Sequence, residues 1–145
     1  MSKGNTFEND LLLLIFNNTN AADIGDATGL RGSSTAGSLY VSLHTGDPGE
    51  GGNQTTSECA YTSYARVAVA RSGAGWTVTG NSVSPVATIN FPACTGSTAT
   101  ATHFSVGVAS SGGSKILYAG SLTPSISIST GVTPQLTTAS TITED

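Results

Sequence analysis

The feature that most constrains the fold is a change of hydrophobic period near residue 39. From Leu39 onward, apolar and polar side chains alternate in short runs, and clusters of Gly, Pro, Asn and Ser separate these runs. A period of two is typical of half-buried β-strands, because successive side chains of a strand point to opposite faces. The runs are LYVSLH, YARVAVAR, WTVTG, VATINFP, HFSVGVA, KILYAG, SISIS and PQLTTASTIT.

These runs predict about eight short strands, a number typical of sandwiches and jelly rolls. No alternation of strand and helix patterns follows Leu39, which argues against a parallel α/β sheet. We therefore predict a mainly-β fold: a single β-sandwich or jelly-roll-like domain over residues 38–145, preceded by a short N-terminal helix and arm over residues 1–37.

The helix is predicted from NTFENDLLLLIFNNTN. Asn5 is the expected N-cap, and Glu8 three residues later forms a capping-box-like pair with it. The polar run Asn17–Asn20 is expected to end the helix. After Asp10 the helix is apolar nearly all round, so either its own domain or a partner has to cover it. The Gly/Ser/Thr-rich segment that follows, AADIGDATGLRGSSTAG, predicts a loop or extended arm.

Charged residues are unusually few. Asp, Glu, Lys and Arg make up 10% of the chain, against about 25% in a typical soluble domain. A surface of this kind has little like-charge repulsion, which indicates that much of it lies against another surface. The net charge of −4 and five scattered basic residues argue against a nucleic-acid partner. The apolar run LLLLIF is too short to cross a membrane, so no membrane partner or secretion is expected.

One stretch, HTGDPGEGG, brings His44, Asp47 and Glu50 close together in the sequence. It suggests either a metal or proton-transfer site, or a strand end followed by a turn. Asp-Pro-Gly is a turn signature, whereas zinc needs three or four ligands and a calcium loop needs more carboxylates. We favour the turn. His103 begins another strand and is expected to face solvent or an interface. No nucleophile motif or P-loop is present, so no enzyme activity, metal or cofactor is expected.

Several aromatic and cysteine side chains are candidates for either core packing or a functional role. Trp76 is favoured as a core anchor, with a sugar-stacking platform as the alternative. Tyr61 and Tyr64 are candidates for contacts at an oligomer interface. Cys59 and Cys94 are interpreted as small, reduced apolar side chains and not as a disulfide.

Partner contacts are expected from the apolar helix and from the arginines that bracket the apolar run RVAVAR. The helix would bury exposed leucines against the partner. The two arginines would anchor a carboxylate of the partner, and the alternative is that they are solvated charges at the ends of a strand. The candidate partner-binding residues are Leu11, Leu12, Leu14, Phe16, Arg66 and Arg71.

Several linked segments occur in an informative order from Leu39 to the C-terminus. They are LYVSLHTGDPGEGG, YTSYARVAVAR, GAGW, INFP, THFSVGVASSGG, ILYAGSLTP and GVTPQL. This order resembles a family of small tailed-bacteriophage virion proteins whose members are commonly labelled tail-fibre-like. Some related small β-proteins are capsid cement or decoration subunits with a jelly-roll-like sandwich. The chain departs from the resemblance at SECAY and PACTG, which contain its two cysteines.

The resemblance implies a structural virion protein without catalytic residues or a cofactor. The first expectation is a capsid cement or decoration protein that binds the major capsid protein and stabilises the shell. It would be assembled in the bacterial host cytoplasm, lie on the outer capsid surface, and form a homo-oligomer, either a dimer or a trimer. The alternative is a tail-fibre or tail-tip component that binds host glycans through Trp76 and the tyrosines. Its short length and the lack of repeats or a coiled-coil stalk argue against this alternative.

Overall fold

The computed structural model describes residues 2–144. These residues form one helix, α1 (Asn5–Asn17), and nine strands. The strands are β1 (Ser38–His44), β2 (Val67–Ala70), β3 (Trp76–Thr79), β4 (Ser82–Pro85), β5 (Ile89–Asn90), β6 (Ala99–Gly107), β7 (Ile116–Ile128), β8 (Gln135–Leu136) and β9 (Ile142–Thr143). The predicted mainly-β, sandwich-like class with a short N-terminal helix is confirmed.

The described strands form three sheets. The largest has the order β2-β1-β6-β7, the second has the order β3-β4-β9, and β5 pairs with β8. In the first sheet, β6 pairs antiparallel with β1 on one side and with β7 on the other. The strand β4 is absent from the predicted set, and the predicted runs KILYAG and SISIS belong to the single long strand β7.

Packing groups these elements into two compact units that interleave along the chain. Within the described residues, the first unit contains residues 2–38, 69–88 and 137–144. The second unit contains residues 39–68 and 89–136. This grouping places α1 with β3, β4 and β9, so it differs from the contiguous division at residue 38 that the sequence suggests.

In the first unit, α1 packs against the β3–β4 hairpin. Leu12 and Phe16 lie one turn apart on the helix and are both 0% exposed. The Phe16 ring meets the indole of Trp76 edge-on, with 4.9 Å between ring centroids. Asn9 at the other end of the helix donates from Nδ2 to the carbonyl of Gly80 in the hairpin turn (2.9 Å). The apolar stripe of the helix is therefore covered by its own unit.

The two ends of α1 differ in how well they were predicted. The N-cap is Gly4, with extended φ −79° and ψ 140°, and no side chain caps this end. The assignment of Asn5 as N-cap is therefore wrong by one residue. The helix does end within the predicted asparagine run, because Asn18 adopts the left-handed conformation (φ 57°) that asparagine tolerates at a C-cap.

Candidate functional site

The turn after β1 has the predicted local chemistry. The Asp47 Oδ1 atom accepts a hydrogen bond from the Gly49 N–H (2.9 Å), and Gly49 adopts a φ of +66° that favours glycine. The Gly52 N–H then donates to the Gly49 carbonyl (3.2 Å). The prediction of a turn over this stretch is confirmed.

His44 lies in a different environment from the one that alternation predicts. The sequence placed it on the face opposite Leu43, yet both residues are 0% exposed, because both faces of β1 are covered from Val41 onward. Its Nδ1 atom is 2.8 Å from the Thr56 carbonyl, and its Nε2 atom is 2.8 Å from the Ser105 hydroxyl. A carbonyl only accepts, so Nδ1 carries the proton and Nε2 accepts from Ser105.

A serine hydroxyl on a histidine nitrogen is the contact that nucleophilic hydrolases use. Here Ser105 is also 0% exposed, and the third group is a backbone carbonyl instead of a carboxylate. Burial lowers the pKa of His44, which keeps the imidazole neutral. This geometry is that of a buried polar pair that joins β1 to β6 and to the segment around Thr56.

His103 lies opposite His44 in the β1–β6 register. It is half-buried, and its Nδ1 atom is 2.9 Å from the Thr102 hydroxyl. Within residues 2–144, no group of three or more His, Cys, Asp or Glu side chains is placed to hold a metal ion.

Arg66 forms a hydrogen-bonded cluster inside the second unit. Its Nε and Nη2 atoms donate to the two carboxylate oxygens of Glu58 (2.7 and 2.8 Å), while Nη1 and Nη2 donate to the carbonyls of Ala109 and Gly112 (3.0 and 2.9 Å). The Tyr64 hydroxyl donates to the same carboxylate (3.0 Å). The Arg66 side chain is only 3% exposed. The structure thus uses this guanidinium internally, where the sequence suggested a partner's carboxylate.

Arg71 binds the C-terminal end of α1 within the first unit. Its Nε and Nη2 atoms donate to the carbonyls of Ile15 (2.7 Å) and Leu14 (2.5 Å), and Nη1 donates to the Ser33 hydroxyl (3.2 Å). The last carbonyls of a helix have no partner within the helix, and a cation there also favours the helix dipole. Arg71 is therefore a C-terminal cap that comes from a distant part of the chain.

The helical candidates for partner binding divide into two groups. Leu12 and Phe16 are fully buried in the first unit, so they present no surface to a partner. Leu11 and Leu14 are half-buried, and their role as contact residues stays a prediction. The exposed apolar residue of this helix is Phe7 (40%), which the sequence did not single out. Among the described residues, no helix combines the length and apolarity needed to cross a bilayer.

Trp76, Tyr61 and the two cysteines belong to the cores. Trp76 is 2% exposed, which confirms the core interpretation and makes a sugar-stacking role for its ring wrong. Tyr61 is 3% exposed, and its hydroxyl donates to the Pro92 carbonyl (2.9 Å). Cys59 and Cys94 are both buried and free, and burial raises the pKa of Cys59 to about 11.

Comparison with known families decides the wider context. A family model described as Podophage GP4 fiber I protein gp80 matches residues 3–143. The chain belongs to this family. Membership confirms the predicted resemblance to a family of small bacteriophage virion proteins that are labelled tail-fibre-like. No curated protein matches the chain. As a member of the gp80 fibre family, the chain is a phage structural protein.

Proposed function

We propose that this chain is a structural subunit of a phage fibre that acts by covering protein surface and catalyses no reaction. The observation that carries this proposal is the family match over residues 3–143, since the family description names a fibre protein. The buried His44–Ser105 pair and the Arg66–Glu58 cluster support it, because these polar groups of the second unit are engaged internally.

The subunit would act by burying part of its surface against other fibre components. The single described helix has 13 residues, too short to build a fibre shaft, so the subunit would attach to longer components as a compact β-module. Exposed apolar side chains are the natural contacts in such attachment, because their burial supplies about 25 cal/mol per Å². These side chains are Phe7, Ile24, Leu30, Val86 and Val108.

A capsid cement protein on the outer capsid surface is the second candidate. It would bind the major capsid protein and stabilise the shell. The 10% content of charged residues favours it, because a weakly charged surface is well suited to close packing on a repeating lattice. Many modest contacts, repeated by symmetry, add up to firm binding. Neither candidate involves nucleic acid or membrane.

Copy number separates the two candidates. Quantitative mass spectrometry of purified particles would compare this chain with the major capsid protein and with the portal protein. A fibre subunit is expected at a small multiple of the portal copy number, and a cement subunit in proportion to the major capsid protein. Only trace amounts in purified particles would refute both.

Heat resistance supplies an independent test. Particles that lack the chain are compared with complete particles for release of DNA on heating. A fibre subunit leaves the release temperature unchanged, whereas loss of a cement subunit lowers it. A lowered temperature together with capsid-like copy number would replace the fibre proposal by the cement proposal.

A further inference from the structure

The strands β1 and β6 share a buried polar cluster in the second unit. Ser42 and His44 of β1 lie directly opposite Ser105 and His103 of β6 in the antiparallel register. Residues that lie directly opposite each other point to the same face of a sheet, so these side chains lie on one face. Ser42, His44 and Ser105 are each 0% exposed. Buried hydroxyl and imidazole groups need hydrogen-bond partners, so the partner of each polar atom has to be identified.

One atom of this cluster is left over. Among the described residues, the buried Ser42 Oγ atom makes no hydrogen bond. The His44 ring is engaged at both nitrogens, because Nδ1 donates to the Thr56 carbonyl and Nε2 accepts from the Ser105 hydroxyl (2.8 Å each). An unpaired buried hydroxyl lowers stability, which points to a second state of the cluster in which the Ser42 oxygen is used.

Protonation of His44 creates such a state. When a proton from solvent binds Nε2, both ring nitrogens become donors. The Nδ1 atom keeps its bond to Thr56, and Nε2 donates to the Ser105 oxygen, so the hydroxyl proton of Ser105 needs another acceptor. Ser42 lies directly across from Ser105. Cβ atoms of such pairs are about 4.5–5.5 Å apart, so rotation about the Cα–Cβ bonds brings the two hydroxyls within hydrogen-bond reach.

We propose that Ser42 is the alternative acceptor of a proton-linked switch in this sheet: when His44 takes up a proton, the Ser105 hydroxyl turns from His44 to Ser42. The Ser105–His44 hydrogen bond reverses its direction, and a Ser105–Ser42 hydrogen bond is gained. β1 and β6 therefore stay paired while the second unit holds a buried cation. Ser42 acts on His44 only through Ser105, and the inference does not depend on the fibre or cement assignment.

Charged and titratable groups around the cluster set how readily the switch operates. Burial is the main cause that lowers the pKa of His44. The Thr56 carbonyl and Glu58 raise this pKa, whereas Arg66 and His103 lower it. Because Arg66 binds the Glu58 carboxylate (2.7 Å), their opposite charges act on His44 together. The hydroxyl acceptors close to the ring therefore have a direct effect on whether the folded chain binds the proton.

An NMR titration of the purified full chain tests the switch. The chain has two histidines, so a spectrum of His103→Gln assigns the His44 ring signal. The pKa of His44 in the folded chain is expected to be about 0.5–1 lower in Ser42→Ala, because the protonated state then leaves the Ser105 hydroxyl without an acceptor. The matched control is Ser121→Ala, an exposed serine opposite His103, which is expected to leave the His44 pKa unchanged.

A double-mutant cycle shows whether Ser42 acts through Ser105. Without the Ser105 hydroxyl there is no proton to pass on, so Ser42→Ala is expected to cause no further change in the His44 pKa when it is added to Ser105→Ala. A further fall of the same size overturns the inference, and so does an unchanged His44 pKa in Ser42→Ala alone.

Thermal unfolding provides the second readout. At about pH 8 the Ser42 hydroxyl has no partner, so Ser42→Ala is expected to melt no lower than the native chain. Below the folded His44 pKa that NMR measures, the hydroxyl accepts from Ser105, and the variant is expected to melt at a lower temperature than the native chain. An equal loss at both pH values would show that the hydroxyl is already paired in the neutral state, which contradicts the switch. A failed fibre assignment would show instead in copy number.

Discussion

The side chains of His44 and Arg66 are polar groups able to take part in catalysis or partner binding, and each is hydrogen-bonded within the second unit. His44 lies between the Thr56 carbonyl and the Ser105 hydroxyl. Arg66 holds both oxygens of Glu58 and two loop carbonyls. A buried polar group that loses its partner costs about 1–3 kcal/mol. Substitutions here are therefore expected to change stability first.

Protonation of His44 is expected to make the stability of the folded chain depend on pH. Burial is the main cause that lowers its pKa below 6.5; the Thr56 carbonyl and Glu58 raise it, and Arg66 and His103 lower it. The unfolded chain therefore binds the proton at a higher pH than the folded chain does. Well above pH 6.5 His44 contributes no pH dependence, and stability falls as the pH drops through 6.5 toward the lowered folded pKa.

We expect the melting temperature to fall between about pH 7.5 and about pH 5, and the fall to be smaller in His44→Gln. Calorimetry of both chains at the two pH values measures the difference. His103→Gln is the matched control, because His103 is half-buried and is expected to leave most of the dependence in place. An unchanged pH dependence in His44→Gln would assign the effect to other groups.

Sequence reasoning succeeded at residues whose chemistry is local. The Asp47–Gly49 turn follows from the side chain of Asp47 and the φ of Gly49 alone. It failed at His44, because alternation assumes one covered face and β1 is covered on both from Val41 onward. Part of the second cover comes from a segment that follows β1 in sequence, because the His44 side chain contacts the Thr56 carbonyl.

At the scale of elements, α1 shows how a short helix is completed by residues far along the chain. Its last carbonyls, at Leu14 and Ile15, are bound by Arg71, 56 residues from Ile15. Asn18, the C-cap of this helix, binds the arm that follows. Its Nδ2 atom donates to the Ser33 carbonyl, and its Oδ1 atom accepts from the Ser33 N–H. The start of the arm is thereby fixed to the helix end.

Replacement of Arg71 by Lys tests this capping role. Lysine keeps the charge but lacks the planar fork, so the free energy of unfolding is expected to fall by about 1–2 kcal/mol. The amide of Thr19, which donates to the Leu13 carbonyl, is expected to exchange faster. Urea unfolding and hydrogen exchange measure these effects. Arg31→Lys at an exposed position is the control with no expected loss. If Arg71→Lys keeps the native stability but binds particles more weakly, the result would instead support the hypothesis that Arg71 binds a carboxylate of a partner.

The missed strands have identifiable causes. β4 is a run of four residues, SVSP, with a single aliphatic side chain, so its own pattern is weak. The available signal was the two-residue Gly80–Asn81 connection, since Gly80 has a φ of +59° and such turns mark hairpins. The sequence predicts two runs, KILYAG and SISIS, in place of β7, because SLTP lies between them and interrupts the alternation. In the structure Pro124 lies in the irregular stretch, where no ladder N–H is required.

At the scale of the molecule, sequence patterns determine the mainly-β class but do not determine the grouping of elements. α1, the β3–β4 hairpin and β9 form one unit from three separate chain segments. The predicted run PQLTTASTIT divides into the two-residue strands β8 and β9, which lie in different sheets and pair with strands remote in sequence, so no local pattern predicts the division. Composition, in contrast, limits the charged side chains that are available at any interface.

The scarcity of available charge gives the last prediction, on the attachment of the chain to the particle. Of the five basic residues, Lys3 pairs with Glu144, and Arg66 and Arg71 are engaged internally. Attachment through apolar area and backbone pairing is insensitive to screening, whereas attachment through ion pairs weakens as the Debye length falls to about 3 Å at 1 M salt. We therefore expect purified particles to retain the chain through a wash at about 1 M NaCl. Immunoblots of pelleted particles and supernatants at low and high salt measure this, with a salt-released peripheral protein as the control. Release of most of the chain by salt alone would show that its remaining charged side chains, and not buried apolar area, hold it in place.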